Sequence, residues 1–181
     1  AGFFFYSLAM QTIFLMAAMF GSSEIGMEDS ELIMTILLIQ IEAILGAWLF
    51  SYLSGKIGNK ITLLIGVFIW IMTCIIGYMI QPNHPDVKMH FYGMAALVGL
   101  VMGGLQALSR STYAKLLPET NDTTTYFSFY DIFEKFALFL GLVIYGVLIE
   151  YTGGMKTSAL AMGVSFAISF VILLFYKMEK K

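Results

Sequence analysis

Long apolar stretches interrupted by short polar ones dominate the chain. Six runs stand out: Phe3–Phe20, Leu32–Ser54, Ile61–Ile80, Phe91–Ser109, Phe127–Ile149 and Thr157–Tyr176. Each approaches the roughly 20 residues that a helix needs to cross about 30 Å of hydrocarbon. The segments between them, GSSEIGMEDSE, GKIGNK, QPNHPDVKMH, SRSTYAKLLPETNDTTT and EYTGGMK, carry the glycine, proline and charge expected of turns. No run alternates apolar with polar, and all are too long for barrel strands. The pattern predicts an all-α polytopic membrane protein of six transmembrane helices. After the fourth run it predicts a solvated loop in which hydroxyls follow Arg110 and lead to Pro118.

Composition agrees. The chain is 59% hydrophobic and 12% charged, whereas soluble domains are about a quarter charged, and its mean hydropathy is +0.84. Lipid can replace a single large core for such a chain. The net charge of −2 offers nucleic acid no basic field, and no cofactor motif is present. A single cysteine, Cys74, leaves no internal disulfide to form. The opening AGFFFY lacks the basic region of a cleavable signal. It begins inside an apolar run without an initiator Met, so a longer polypeptide is expected.

Charge sets the expected orientation. With Ala1 and Lys181 both cytoplasmic, the inner loops and tail carry Lys56, Lys60, Arg110, Lys115, Lys177, Lys180 and Lys181. The outer loops then carry only Lys88 and Lys156, with acidic Glu24, Glu28, Asp29, Glu31 and Asp86. The positive-inside rule selects this arrangement, and an even number of spans returns the chain to its starting side.

The chain also repeats. Shifted by 95 residues, Gln11 falls on Gln106, Leu45-Gly46 on Leu140-Gly141, Leu53 on Leu148 and Gly58 on Gly153, with milder matches of Phe50 to Tyr145 and Ser51 to Gly146. Each unit holds three spans, an odd number, so two copies must be inverted relative to each other. A 3+3 inverted repeat is the plan of one half of a major facilitator transporter.

Motifs carry the resemblance further. The loop FSYLSGKIGNK is similar to the major facilitator signature between the second and third helices of each half, G-x-x-x-D-K/R-x-G-R-K. Lys56, Gly58 and Lys60 match it, while Ser51 and Gly55 stand for its first glycine and its acid. More specifically, Gly103-Gly104-Leu105-Gln106-Ala107-Leu108-Ser109-Arg110-Ser111 and the Phe127-Ser128-Phe129-Tyr130 to Lys135 element resemble the autophagy-linked vacuolar amino-acid effluxers and their bacterial relatives. Gln11-Thr12-Ile13 and Ile39-Gln40 fit as well. The chain departs from that family at Ser7-Leu8-Ala9, where Asn-Asp-Gly is common, and at Gly141-Leu142, where Gly-Pro is common. The resemblance implies the C-terminal half of a secondary transporter whose N-terminal six-helix half is absent from this chain. It also implies a small polar solute, with amino acids the class that the family name suggests, and a bacterial inner membrane.

Ionisable groups within hydrocarbon are costly unless paired, wetted or snorkelling. Glu42 in the second run and Asp131, Glu134 and Lys135 in the fifth therefore draw attention. Asp131 and Lys135 are i,i+4 and predict an ion pair. Lys135 is a candidate substrate ligand, or else a structural partner of Asp131. Glu42 and Asp131 are candidate proton carriers, since a carboxyl in low dielectric can take up a proton rather than stay an anion; a hydrogen bond to a neighbouring helix is the alternative for Glu42. Gln11, Gln40 and Gln106 suit a polar solute or interhelical bonding. Gln40 and Glu42 lie about 200° apart on their helix and cannot both face one cavity. Lys56, Gly58, Lys60 and Arg110 are candidates for a gating loop on the cytoplasmic side. Gly99, Gly103 and Gly104, like Gly141 and Gly146, predict close helix packing. His84 and His90, beside Pro82 and Pro85, lack a metal-ligand pattern, and no span carries a nucleophile–base pair or metal set, so an enzyme is not expected. A membrane scaffold whose charges pair with a partner chain is the other class open to the sequence.

Orientation can be checked directly. In a Cys74→Ser background, cysteines replacing Lys56 and Lys115 should react with an impermeant thiol reagent only from the cytoplasmic side, and one replacing Lys88 only from outside. The reverse pattern would overturn the assignment.

Overall fold

A computed structural model describes residues 2–80, 84–117 and 122–176. Ala1, Pro82, Pro118, Lys177, Lys180 and Lys181, invoked above, lie outside these residues. The described residues form α1 (Gly2–Ile25), α2 (Asp29–Ile57), α3 (Asn59–Met79), α4 (Val87–Leu116), α5 (Thr123–Thr152) and α6 (Met155–Phe175), with no strand among them. All six are long and apolar enough to cross a membrane.

The helices outrun the apolar stretches that predict them. α4 continues through Ser111, Thr112 and Tyr113 to Leu116, where the sequence predicted a solvated loop. Leaving hydrocarbon removes the need for apolar side chains but leaves the i→i−4 backbone bonds intact, so composition changes before the helix stops. Turns are correspondingly short. Asp122 caps α5, accepting from the Thr125 hydroxyl at 2.6 Å and the Thr125 N–H at 3.1 Å. These bonds, the hydroxyl's first, hold its carboxyl below the usual carboxylate range.

The inverted repeat is visible in the packing. α2 lies against α4 as α5 lies against α1; α1 meets α6 as α4 meets α3; and α2 touches α3 as α5 touches α6. Exchanging the first three helices with the last three maps each of these contacts onto another. The mates Gly58 and Gly153 terminate α2 and α5 at positive φ, 87° and 71°, though with different ψ, 154° and 11°. Each donates its N–H at 2.9 Å to the carbonyl four residues back, Ser54 and Ile149 respectively. Only glycine adopts such φ values without strain.

Glycine also sets the helix spacing. A methyl on Gly46 would lie 1.8 Å from the Leu100 carbonyl oxygen, one on Gly103 2.0 Å from that of Ala43, and one on Gly99 2.5 Å from that of Ile39. α2 and α4 therefore touch backbone to backbone. Gly141, the mate of Gly46, does the same for α5 on α1, where a methyl would meet the Thr12 hydroxyl at 2.0 Å and the Leu8 carbonyl at 2.8 Å. Gly104 instead receives the Phe50 ring. Gly146 does not join this packing; nothing lies within 4 Å of its missing Cβ.

The two ends differ. One, here the basic end, gathers the α2–α3 turn with the last turns of α4 and α6 and the first of α1 and α5. There Asn59 donates to the Thr112 hydroxyl at 2.9 Å and accepts from Lys115 at 3.2 Å. Lys60 donates to the Leu174 carbonyl at 2.8 Å, a cation at the negative end of α6. At the opposite end Glu31 and Lys88 pair at 2.7 Å, tying the start of α2 to the start of α4. Between the ends Trp70 and Phe166 stack at 5.2 Å among buried Tyr6, Met10, Val67 and Leu105.

Gly103→Ala should destabilise the bundle by about 1–3 kcal/mol or more through overpacking, read as a lower melting temperature in detergent. Gly93→Ala, where nothing lies within 4 Å, should be neutral or mildly stabilising. Equal melting of both variants would contradict the close α2–α4 contact.

Candidate functional site

Helix periodicity places one carboxylate where three helices meet. The buried side of α5 runs Tyr130, Ala137, Gly141 and Tyr145, and Glu134 falls on that stripe. Asp131 and Lys135 fall beside it and are exposed. Glu134 has 13% of its side chain exposed, against 54% for Asp131. It lies about 16 Å along α5 from Thr123, well inside a span.

The polar groups around Glu134 form one network. Gln11 of α1 donates through Nε2 to Glu134 Oε1 at 3.0 Å and to the Ser7 hydroxyl at 3.1 Å. Arg110 of α4 donates through Nη2 to Asp131 Oδ1 at 3.1 Å and stands 3.7 Å from Glu134 Oε2. Its guanidinium also lies over the Tyr130 ring, 5.7 Å from the centroid. Tyr6 of α1 meets the Ser109 hydroxyl at 2.5 Å. Since Ser109 gives its own proton to the Leu105 carbonyl, Tyr6 is the donor. Tyr113 donates to the Tyr126 carbonyl at 2.9 Å and packs on Tyr130, lacing α4 to α5 toward the basic end.

Asp131 and Lys135 do not form the pair that their spacing predicts. Arg110 takes Asp131 instead, because a guanidinium reaching across from α4 can serve Asp131 and Glu134 together. Lys135 is exposed and has no partner among the described residues. It points from the same side of α5 as Asp131, one turn further in. Gln106, half-buried, lies one turn from Arg110 on α4. Gln11, Gln106, Arg110, Asp131 and Lys135 are thus assembled on adjoining faces of α1, α4 and α5.

The remaining candidates lie apart. Gln40 is exposed on α2. It is the repeat mate of Lys135, since 40 plus 95 is 135, and both project from the free side of a helix that buries only one stripe. Glu42 is half-buried and turned toward α4, its Cβ 3.0 Å from where a Gly99 methyl would sit, with no polar partner among the described residues. Lys56 stands over the Tyr52 ring at 4.6 Å, and with Gly58 and Lys60 forms the α2–α3 turn rather than any part of the Glu134 network.

Sequence reasoning singled out Glu134 as a costly charge but gave it no role; Ser109 and Tyr130 entered only as members of motifs, and Tyr6 not at all. The signal for Glu134 was its place on the i, i+3, i+7 stripe with Ala137 and Gly141. The tyrosine and serine carried no such mark, because only tertiary contact pairs them. A partly open, largely apolar cavity of about 70 Å³, between Ile13, Trp70, Cys74 and Phe91, is lined by none of the glutamines or Lys135. Its lining is apolar, so it fits a packing void rather than a polar site. The candidate site is an open face, not an enclosed pocket.

Residues 1–181, the whole chain, match the family model described as "Vacuole effluxer Atg22 like". The chain is 32% identical over 177 residues to the uncharacterized MFS-type transporter YxiO of Bacillus subtilis, covering 98% of this chain and 40% of that protein. It is 30% identical over 165 residues to autophagy-related protein 22 of Vanderwaltozyma polyspora, covering 87% and 31%. Against the Saccharomyces cerevisiae protein of the same name it is 29% identical over 161 residues, covering 86% and 30%. The chain therefore spans less than half the length of these relatives. No solved structure matches it.

Removing the Gln11 donor should leave Glu134 without its best partner. Gln11→Leu is expected to cost about 1–3 kcal/mol, measured by melting in detergent, and Gln11→Leu combined with Glu134→Gln should recover part of that loss. Strict additivity of the two substitutions would show that the hydrogen bond is not formed.

Proposed function

This chain belongs to the Atg22-like vacuole effluxer family, and on that premise we propose that it is the C-terminal six-helix half of a secondary active transporter moving a small polar solute by alternating access. Amino acids are the solute class we propose. In this reading the bundle lies in a bacterial inner membrane with its basic end cytoplasmic, and it rocks against an N-terminal six-helix half.

The observation that carries the reading is the face described above. Lys135 sits about 18 Å along α5, unpaired among the described residues and exposed. An ammonium at the centre of a span costs about 2.5–3.5 kcal/mol even on insertion scales. A residue whose sole effect was structural would be expected to have recruited Asp131, one turn away, yet Arg110 holds Asp131. Lys135 is left available for a carboxylate or another anionic group of a solute. Gln11 and Gln106 add neutral donors and acceptors on α1 and α4, suited to groups that must be released again, and Gln40 would add one from α2, apart from this face. The Arg110–Asp131 pair and the Tyr113 contact, near the basic end, would close α4 on α5 on the cytoplasmic side. The Lys56, Gly58 and Lys60 turn would flank that gate.

Counterflow in proteoliposomes holding the full-length transporter tests this reading, with each standard L-amino acid supplied in turn. Saturable flux in wild type, reduced ~10-fold or more in Lys135→Ala, is expected if the ammonium binds the solute in both ground and transition states. Equal flux in both proteins would remove Lys135 from the site. No flux of any amino acid by folded protein would remove the amino-acid assignment and favour a membrane scaffold.

A further inference from the structure

We propose that the cleft between α3 and α4, at the end opposite the basic one, binds a single glycerophospholipid. Its acyl chain lies between the two helices, and its phosphate and a primary ammonium sit at the mouth. The inference rests on the membrane-spanning fold and not on the transporter reading.

The cleft has a volume of about 510 Å³. Ile76 and Met79 of α3 and Gly93 and Leu97 of α4 wall it, with His84 and His90 at the mouth. Gly93 keeps it open: nothing lies within 4 Å of its missing Cβ, so a longer side chain there would project into free space. On α4 the lining runs from Val87 to Leu97, about 15 Å along the axis. One leaflet of a roughly 30 Å hydrocarbon layer has the same depth. The cleft also opens away from the candidate site. Gln106 lies about 180° around α4 from Leu97, so the glutamine face and the cleft are on opposite sides of that helix. An apolar cleft one leaflet deep, open along its side, meets acyl chains.

The mouth selects the headgroup. His84 accepts the Asp86 N–H through Nδ1 at 3.2 Å, which places the ring proton on Nε2 and leaves that nitrogen a donor. His90 stands against it, ring centroids 5.4 Å apart and planes at 76°. Two imidazoles at headgroup depth offer N–H groups to the oxygens of a phosphodiester. Neither nearby lysine is free to hold a second negative charge. Lys88 is taken by Glu31 at 2.7 Å, and Lys156 donates to the Ile80 carbonyl. The free charge beside the mouth is negative instead. Asp86 is exposed, its side chain does not cap α4, and its carboxylate has no partner among the described residues. An ammonium with N–H donors suits it, since hydrogen bonds between ionised groups are the strong ones. The headgroup that serves both the imidazoles and Asp86 is zwitterionic, a phosphate next to a primary ammonium, as in phosphatidylethanolamine.

Native mass spectrometry of the full-length protein tests this, after delipidation and titration with phosphatidylethanolamine, phosphatidylglycerol or phosphatidylcholine of identical acyl chains. Wild type should retain one phosphatidylethanolamine ~10-fold more tightly than either other lipid, the size expected of a hydrogen bond to a charged group. Asp86→Asn should lower phosphatidylethanolamine to the level of the other two. Gly93→Leu, which fills the cleft, should weaken retention of phosphatidylethanolamine ~10-fold or more by displacing buried methylenes, with an unchanged melting temperature showing that the protein is folded. Equal retention of the three lipids by wild type, or undiminished retention by folded Gly93→Leu, would overturn the inference. If Gly93→Leu does not fold, a phosphatidylethanolamine with a photoreactive diazirine in its acyl chain decides on wild type. Crosslinks at Ile76, Met79 and Leu97 are expected, and crosslinks confined to other helices would overturn the site.

Discussion

Backbone contact between helices is the constraint from which the rest of the architecture follows. In lipid there is no hydrophobic drive to bring one apolar helix onto another, so association depends on close van der Waals approach. Here that approach is made by glycine. Gly46, Gly99 and Gly103 let α2 and α4 meet backbone to backbone, and Gly141 does the same for α5 on α1. Because each of these contacts uses a narrow stripe, α2 and α5 keep most of their circumference free. That leaves a polar strip of α5, carrying Asp131 and Lys135, beside the convergence of α1 and α4. Gly141 brings α5 onto α1 at the spacing that lets Gln11 reach Glu134.

The repeat makes the two halves of the chain alike in shape and unlike in chemistry. Gly58 and Gly153 both end their helices at positive φ, and Gln11 and Gln106 occupy matched positions. Yet Arg110, Asp131 and Glu134 have Leu15, Ile36 and Ile39 as their mates. One crossing of the pseudo-symmetric pair is therefore charged and the other apolar. A charged crossing can be made and broken in water, whereas an apolar one cannot be wetted cheaply.

Much of the fold was legible in the sequence, since runs of about 20 apolar residues admit few structures in a bilayer. The helix ends were not, because hydrogen bonding carries α4 to Leu116 after the apolar pattern has stopped at Ser109. The site was legible in its members more than in its connections. The i,i+4 rule paired Asp131 with Lys135 because a single helix contains no knowledge of Arg110, which arrives from α4. Glu134 could have been placed from the stripe through Ala137 and Gly141. The Tyr6–Ser109 bond, spanning 103 residues of chain, could not. Gly146 misled for the same reason: small residues mark packing only where a neighbour is present.

Alternating access requires that the face bearing Gln106 meet water from both sides of the membrane in turn. Cysteines placed at Gln106 and at Phe136, in a Cys74→Ser background of the full-length protein, would be exposed to an impermeant thiol reagent from each side. The account predicts that the Gln106 position reacts from either side according to the state of the transporter, while Phe136, on the apolar side of α5, reacts from neither. A Gln106 cysteine protected from both sides in every condition would contradict it, and would make the paired glutamines interhelical packing groups.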